Sequence, residues 1–282
     1  MKNSIAHKAI LDYILFSIIK YIPYSLVSRF FSVGDCSKGF NIPPILVHPQ
    51  YRFVLIFSPK SACTSVVIWF YKTMGLLDEA RAFSKWPHDF RLIKLQHENN
   101  QRKAQQLPLR DVKILRVVRD PIDRAASSFR HAVKTGYVNN RIRDTIGVDV
   151  ASDGLSFQQF IDFLELEDLY RCDPHHRHQK NPIENLRDPD CLINISKQNL
   201  FEGLNAFENK MGMPITNFST IDWIHELQAN RVPEYSNMGP NPDELILTTS
   251  QAQRGPWPTG LVTPRAQKRL ELIYSDDIKS YR

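Results

Sequence analysis

Two short stretches of this chain set cations and hydroxyls directly behind strand-like runs. Ser58-Pro59-Lys60-Ser61-Ala62-Cys63-Thr64-Ser65 follows Tyr51-Arg52-Phe53-Val54-Leu55-Ile56-Phe57, a β-branched and aromatic run. Arg119-Asp120-Pro121-Ile122-Asp123-Arg124-Ala125-Ala126-Ser127 follows Lys113-Ile114-Leu115-Arg116-Val117-Val118. Each pattern predicts a buried strand, a turn and then a helix. In that geometry the first N–H groups of the helix, with a cation and hydroxyls beside them, receive an anion. Two such sites in one α/β sheet imply a single ligand that is anionic at both ends.

At these residues the chain resembles the sulfotransferases that use 3′-phosphoadenosine 5′-phosphosulfate (PAPS), specifically the Golgi-type carbohydrate group and its bacterial relatives. That family's 5′-phosphosulfate loop runs Pro-Lys-x-x-Cys-Thr-Ser/Asn, which Pro59 to Ser65 fits throughout. Its 3′-phosphate segment runs Arg-Asp/Glu-Pro-x-x-Arg-x-x-Ser, and Arg119, Asp120, Pro121, Arg124 and Ser127 fill the fixed places. Three further stretches are similar. Ser156-Phe157-Gln158-Gln159-Phe160 resembles a Ser-Phe-x-x-Phe helix start. Asp173 to Gln179 resembles a His-Trp-x-x-Gln segment, with His176 where Trp is usual. Leu272 to Tyr281 resembles a closing Tyr-x-x-Asp-x-x-x-Tyr.

The resemblance implies roles. Pro59, Lys60, Ser61, Ala62, Cys63, Thr64 and Ser65 form the cofactor loop, with the Lys60 ammonium on the bridging oxygen of the donor, where charge appears as the nucleotide departs. Cys63 is a small packing residue there. Arg119 and Ser127, eight residues apart, reach one phosphate if the chain turns tightly at Pro121, and arginine offers that group a bidentate fork. Arg124 fits either this site or an ion pair with Asp120 or Asp123. Arg254, in Ser250-Gln251-Ala252-Gln253-Arg254-Gly255, resembles part of a cofactor-covering loop and is a further phosphate candidate. The acceptor hydroxyl needs a base. His88, 28 residues beyond Lys60 in Trp86-Pro87-His88-Asp89, is the choice, with His97 and His175 in reserve. Cys172, His175, His176 and His178 invite zinc, but adjacent ligands make poor tetrahedral geometry, so no metal is expected.

The elements that must position these residues follow from pattern. A chain of 282 residues, 42% hydrophobic and 23% charged, can bury a full core. Strands alternating with helices predict an α/β fold: a P-loop-like parallel sheet flanked by helices, preceded by an N-terminal amphipathic helix. Two parts are expected, an N-terminal segment over 1–48 and a catalytic domain over 49–282. Helices are expected over Thr64 to Met74, Ile122 to Lys134, Ser156 to Tyr170, Leu200 to Met211 and Thr263 to Tyr274, with a short strand at Leu192 to Ile195. Residues 78–110, with Trp86 to Asp89 as a loop over the site, and residues 135–155, with Asn139 to Gly154 as a polar exposed loop, should line the acceptor pocket.

Residues 5–31 carry an apolar helical face, Ile10, Leu11, Ile14, Leu15, Ile18, Ile19 and Ile22, yet Lys8, Asp12, Lys20, Pro23 and Arg29 interrupt it. A membrane-crossing helix wants about 20 apolar residues, so packing against protein, or peripheral contact with a membrane surface, is expected instead. The net charge of +6 is spread along the chain, and no nucleic-acid partner is expected. Four cysteines without Cys-x-x-Cys spacing allow at most one bridge outside the loop. The expected activity is sulfuryl transfer from PAPS to a hydroxyl of a small-molecule, glycan or glycolipid-like acceptor by in-line displacement. The expected place is the cytoplasm or the cytoplasmic membrane face of a bacterium, with the Golgi as the other compartment that fits. The competing readings are a P-loop nucleotide kinase or NTPase, disfavoured because Ser58 to Ser65 contains no glycine, and a catalytically silent nucleotide-binding relative.

Overall fold

The computed structural model describes residues 45–97, 106–229, 234–235, 241–254 and 257–282. The expected N-terminal amphipathic helix lies outside them. β1 (Leu46–His48) and β2 (Phe53–Phe57) lead into α1 (Cys63–Thr73) and α2 (Leu77–Phe83). A helical turn at Pro87–Asp89, a π-helical turn at Phe90–Lys94 and a 3₁₀ turn at Leu95–His97 precede β3 (Lys113–Val118). Then come α3 (Pro121–Thr135), α4 (Asn139–Ile146), α5 (Phe157–Leu166), β4 (Cys191–Asn194), α6 (Leu200–Lys210) and α7 (Asp222–Ala229). β5 (Glu234–Tyr235), α8 (Thr249–Arg254), β6 (Trp257–Pro258), α9 (Pro264–Ile273) and α10 (Ser275–Tyr281) complete the order.

The chain divides into two compact units, one from Met1–Val118 with Lys180–Ile224, the other from Arg119–Gln179 with His225–Arg282. The first holds the sheet, in order β1-β2-β3-β4. β2, β3 and β4 run parallel, with Phe57 opposite Val117 and Val118 opposite Asn194, while β1 is an antiparallel edge strand beside β2. Every residue of β2 is buried, as expected of a parallel strand covered on both faces. Val54, Ile56 and Ile114 pack with Leu109, Ile183 and Leu186 on one side. On the other, Phe53 meets Trp69 and Phe70 of α1 and Phe207 of α6. Each such ring contributes roughly 1.5–3 kcal/mol by burial. At Gly203 a Cβ would sit 3.1 Å from the Ile193 side chain, so glycine lets α6 lie close on β4. The fold is therefore the expected mixed α/β arrangement, a central parallel sheet flanked by helices.

The second unit is mainly helical. Phe129 of α3 packs against Phe157 and Phe160 of α5, and Ala266, Leu270 and Tyr274 join the same core. Ser156 and Gln159 form a reciprocal capping box that starts α5 at the expected place.

Several expectations are corrected. Trp86 to Asp89 is not a loop but leads into a helical turn, and in residues 78–97 α2 and three successive turns fill most of the segment, fixed by the buried Pro87, Phe90 and Leu95. Asn139 to Gly154 begins with α4, whose Ile142 is fully buried and whose end is set by Gly147 at φ 74°. β1 precedes the strand expected to open the core. α10 follows α9 where a single last helix was expected.

Candidate active site

The loop between β2 and α1 is under backbone strain. Lys60 and Ala62 both have positive φ, 68° and 56°, although neither is glycine. Such residues cost about 1–3 kcal/mol each and persist where the surroundings over-determine them, often at functional sites. Ser61 between them is fully buried, and its N–H donates to the Ser58 carbonyl at 3.2 Å. Turns of this kind make concavities lined by N–H groups that suit anions. α1 begins with no side-chain cap and no acidic residue in its first turn, so no carboxylate of that turn offsets its positive end.

Arg116 fixes where that loop begins. It is fully buried in β3, donating to Glu184 Oε2, the Val117 carbonyl and Ser58 Oγ, each at 3.1 Å. A charge so deep is tolerated because the carboxylate and two further acceptors meet it.

His88 sits beside the same loop. Its Nε2 lies 3.5 Å from Thr64 Oγ1, and its ring is 5.3 Å from that of Trp86. The helical turn carrying it is held by Tyr71, whose hydroxyl donates to the Pro87 carbonyl at 2.7 Å, and by Ser84, whose hydroxyl donates to Asp89 Oδ2 at 2.6 Å. The loop residues and His88 thus come together within one unit. His97 is exposed on the 3₁₀ turn.

A residue that sequence reasoning passed over is also here. Arg91, in the π-helical turn, is 8% exposed, and its guanidinium carbon lies 5.7 Å from the centre of the Phe57 ring. Burial lowers its affinity for a proton, while Cys63 and Tyr71 act in the opposite sense. Its only sequence signal was a basic residue three positions after His88.

In the second unit the backbone of Arg119 is clamped. Gln179 accepts from the Arg119 N–H at 3.1 Å and donates to its carbonyl at 2.8 Å. The Gln179 N–H in turn donates to both oxygens of the buried Asp277 carboxylate at 2.9 Å. Arg124, fully buried, donates to the carbonyls of Arg177 (2.7 Å) and Pro174 (2.9 Å), and the Tyr274 hydroxyl donates to the His176 carbonyl. The 173–179 segment and the closing Tyr-x-x-Asp pattern are therefore a brace behind Arg119, and Arg124 is part of it.

Asp120 changes one expectation at α3. Its carboxylate caps the helix by accepting from the Ile122 and Asp123 N–H groups, so an anion there must be met chiefly by side chains. Ser127 is half-buried in the second turn of α3. Arg254 ends α8.

The residues considered for zinc do not converge as a set. Cys172 and His176 approach Glu167, their ligand atoms lying within 4.8 Å of one another. His175 Nδ1 is instead 2.7 Å from Asp173, and its ring packs on His131. Burial, reinforced by Glu167, pushes the Cys172 thiol up to about 12. Arg141 donates to Glu167 at 2.6 Å. His176 stands 1% exposed among Phe160 and Phe163, with Nδ1 3.0 Å from the Tyr137 hydroxyl, and burial lowers its pKa to about 4. Cys63, Cys172 and Cys191 are free thiols. Among the described residues no helix is long and apolar enough to cross a membrane.

Comparison with known proteins bears on both units. A model described as the sulfotransferase family matches residues 43–282. Human carbohydrate sulfotransferase 14 is 27% identical over 203 residues, which cover 67% of this chain and 48% of that protein. The chain spans about half the length of that curated relative. No solved structure matches.

Proposed function

The chain belongs to the sulfotransferase family, and on that premise we propose that it moves a sulfuryl group from PAPS to a hydroxyl of a carbohydrate or glycolipid-like acceptor. The observation that carries this reading is the strained, uncapped loop Ser58 to Ser65 with the His88 imidazole 3.5 Å from Thr64. The human relative's name adds the carbohydrate class of acceptor. Residues 49–282 are proposed as the catalytic domain.

In the proposed reaction the acceptor oxygen attacks sulfur in line. The new O–S bond forms as the S–O bond to the nucleotide phosphate breaks. His88 takes the hydroxyl proton, and Lys60 meets the negative charge left on adenosine 3′,5′-bisphosphate. Pro59, Ser61, Ala62 and Cys63 shape the loop, while Thr64 and Ser65 offer hydroxyls and N–H groups at the start of α1. Arg119, braced by Gln179, binds the 3′-phosphate with Ser127, and Arg254 is a further contact to it. No step calls for a metal. His97 and His175 are set aside for this role, the first standing exposed on its 3₁₀ turn and the second held by Asp173.

A screen of glycan and lipid acceptors with sulfur-labelled PAPS tests the proposal. Label moving to a hydroxyl of at least one acceptor is the expected result. An enzyme that binds the nucleotide yet labels none would instead be a catalytically silent relative.

A further inference from the structure

Arg91 has no part in the mechanism above, yet its setting demands one. Its Nε and Nη1 are both buried without a hydrogen-bond partner among the described residues. Arginine stays protonated at any working pH, so a buried guanidinium cannot escape its desolvation cost by losing a proton. An uncompensated charge of this kind is among the costlier features a fold can carry. The face of Phe57 offsets part of the cost, but a ring face does not accept the in-plane N–H groups.

Position says what would accept them. Phe57 is the last residue of β2, directly before the Ser58 to Ser65 loop, and Cys63 of that loop is an electrostatic neighbour of Arg91. The π-helical turn sets the side chain inward: Leu95 N–H donates to the carbonyls of both Phe90 and Arg91, while Leu92 and Ile93 are turned outward and exposed. Turns of this type recur at functional sites.

Resting on the reading of that loop as the phosphosulfate site, we propose that Arg91 donates to the non-bridging oxygens of the sulfuryl group, a contact separate from that of Lys60 at the bridging oxygen. Sulfur's planar array of oxygens in transit suits a guanidinium fork, and the contact holds the group that adenosine 3′,5′-bisphosphate lacks. A sulfate or carboxylate on the acceptor offers similar oxygens, so the two sources must be separated by experiment.

Calorimetry with PAPS and with adenosine 3′,5′-bisphosphate, on the wild-type protein, Arg91→Met and Arg91→Lys, does this. Arg91→Met should weaken PAPS roughly 10- to 100-fold and leave the bisphosphate nearly unchanged, with Arg91→Lys recovering part of the loss. The ligand-free Arg91→Met protein should melt at or above the wild-type temperature, because an unmet charge has been removed. A lower melting temperature with both affinities intact would make Arg91 a packing residue and overturn the inference. Equal loss for both nucleotides would move it to the nucleotide phosphates, and unchanged binding with a raised KM for an anionic acceptor would move it to the acceptor. Either result overturns the sulfuryl assignment. If wild-type protein binds neither nucleotide, the functional reading itself fails, whatever the variants do.

Discussion

His88 Nε2 lies 3.5 Å from the Thr64 hydroxyl, and on the proposed reading this imidazole takes the proton of the acceptor hydroxyl. His88→Ala should spare nucleotide affinity while steady-state turnover falls about 10²- to 10⁴-fold, and the low-pH limb of the rate should disappear with it. Lys60→Ala should slow transfer to every acceptor alike, since the role proposed for Lys60 lies in the half of the reaction all acceptors share. Arg119→Ala, which removes the proposed charged contact to the 3′-phosphate, should cost about 1.5–3 kcal/mol of binding to adenosine 3′,5′-bisphosphate in calorimetry. His176 belongs to stability. Its pKa is about 4 in the fold against 6.5 unfolded, so between those values the unfolded chain binds the extra proton. Its contribution is therefore complete above pH 6.5 and is lost progressively down to pH 4, roughly 3 kcal/mol in all. Denaturant titrations of His176→Phe should show a shallower decline across that window than wild type.

At the scale of elements, two struts aim the candidate residues. One runs from Glu184 through Arg116 to Ser58, the other from Asp277 through Gln179 to Arg119. Glu184→Gln strands a buried guanidinium and should cost about 3–5 kcal/mol, read as a lower denaturation midpoint. Gln179→Ala should weaken nucleotide binding with Arg119 still present. How much of this was legible in sequence depends on burial. β2, β3, α1 and α3 were readable because long apolar runs beside a cation and hydroxyls leave few alternatives. α2 and α4 were not, because each buries one residue, Ala80 or Ile142, and shows almost no apolar period. β1 is three residues long and acquires its meaning only by pairing with β2. Arg91 and the clamp on Arg119 were invisible for another reason: both depend on side-chain direction, which spacing does not carry. The matched Gln179 and Asp277 were found by pattern, but not their task.

For the molecule as a whole, two compact units each carry half of the recognised pattern, the loop with His88 in one and braced Arg119 in the other. A net charge of +6 suits a polyanionic donor. Because Lys60 and the start of α1 are given the work a cation could do, activity should survive exhaustive chelation. Loss in chelator with recovery on adding zinc would direct attention to Glu167, Cys172 and His176. Which nucleotide the protein prefers bears most directly on the central claim. Calorimetric titration with adenosine 3′,5′-bisphosphate and, separately, with ATP and Mg²⁺ decides it. Saturable binding of the bisphosphate, weakened in Arg119→Ala, with no measurable binding of ATP, is the predicted result. Preference for ATP, or no binding of the bisphosphate by a folded protein, would contradict it.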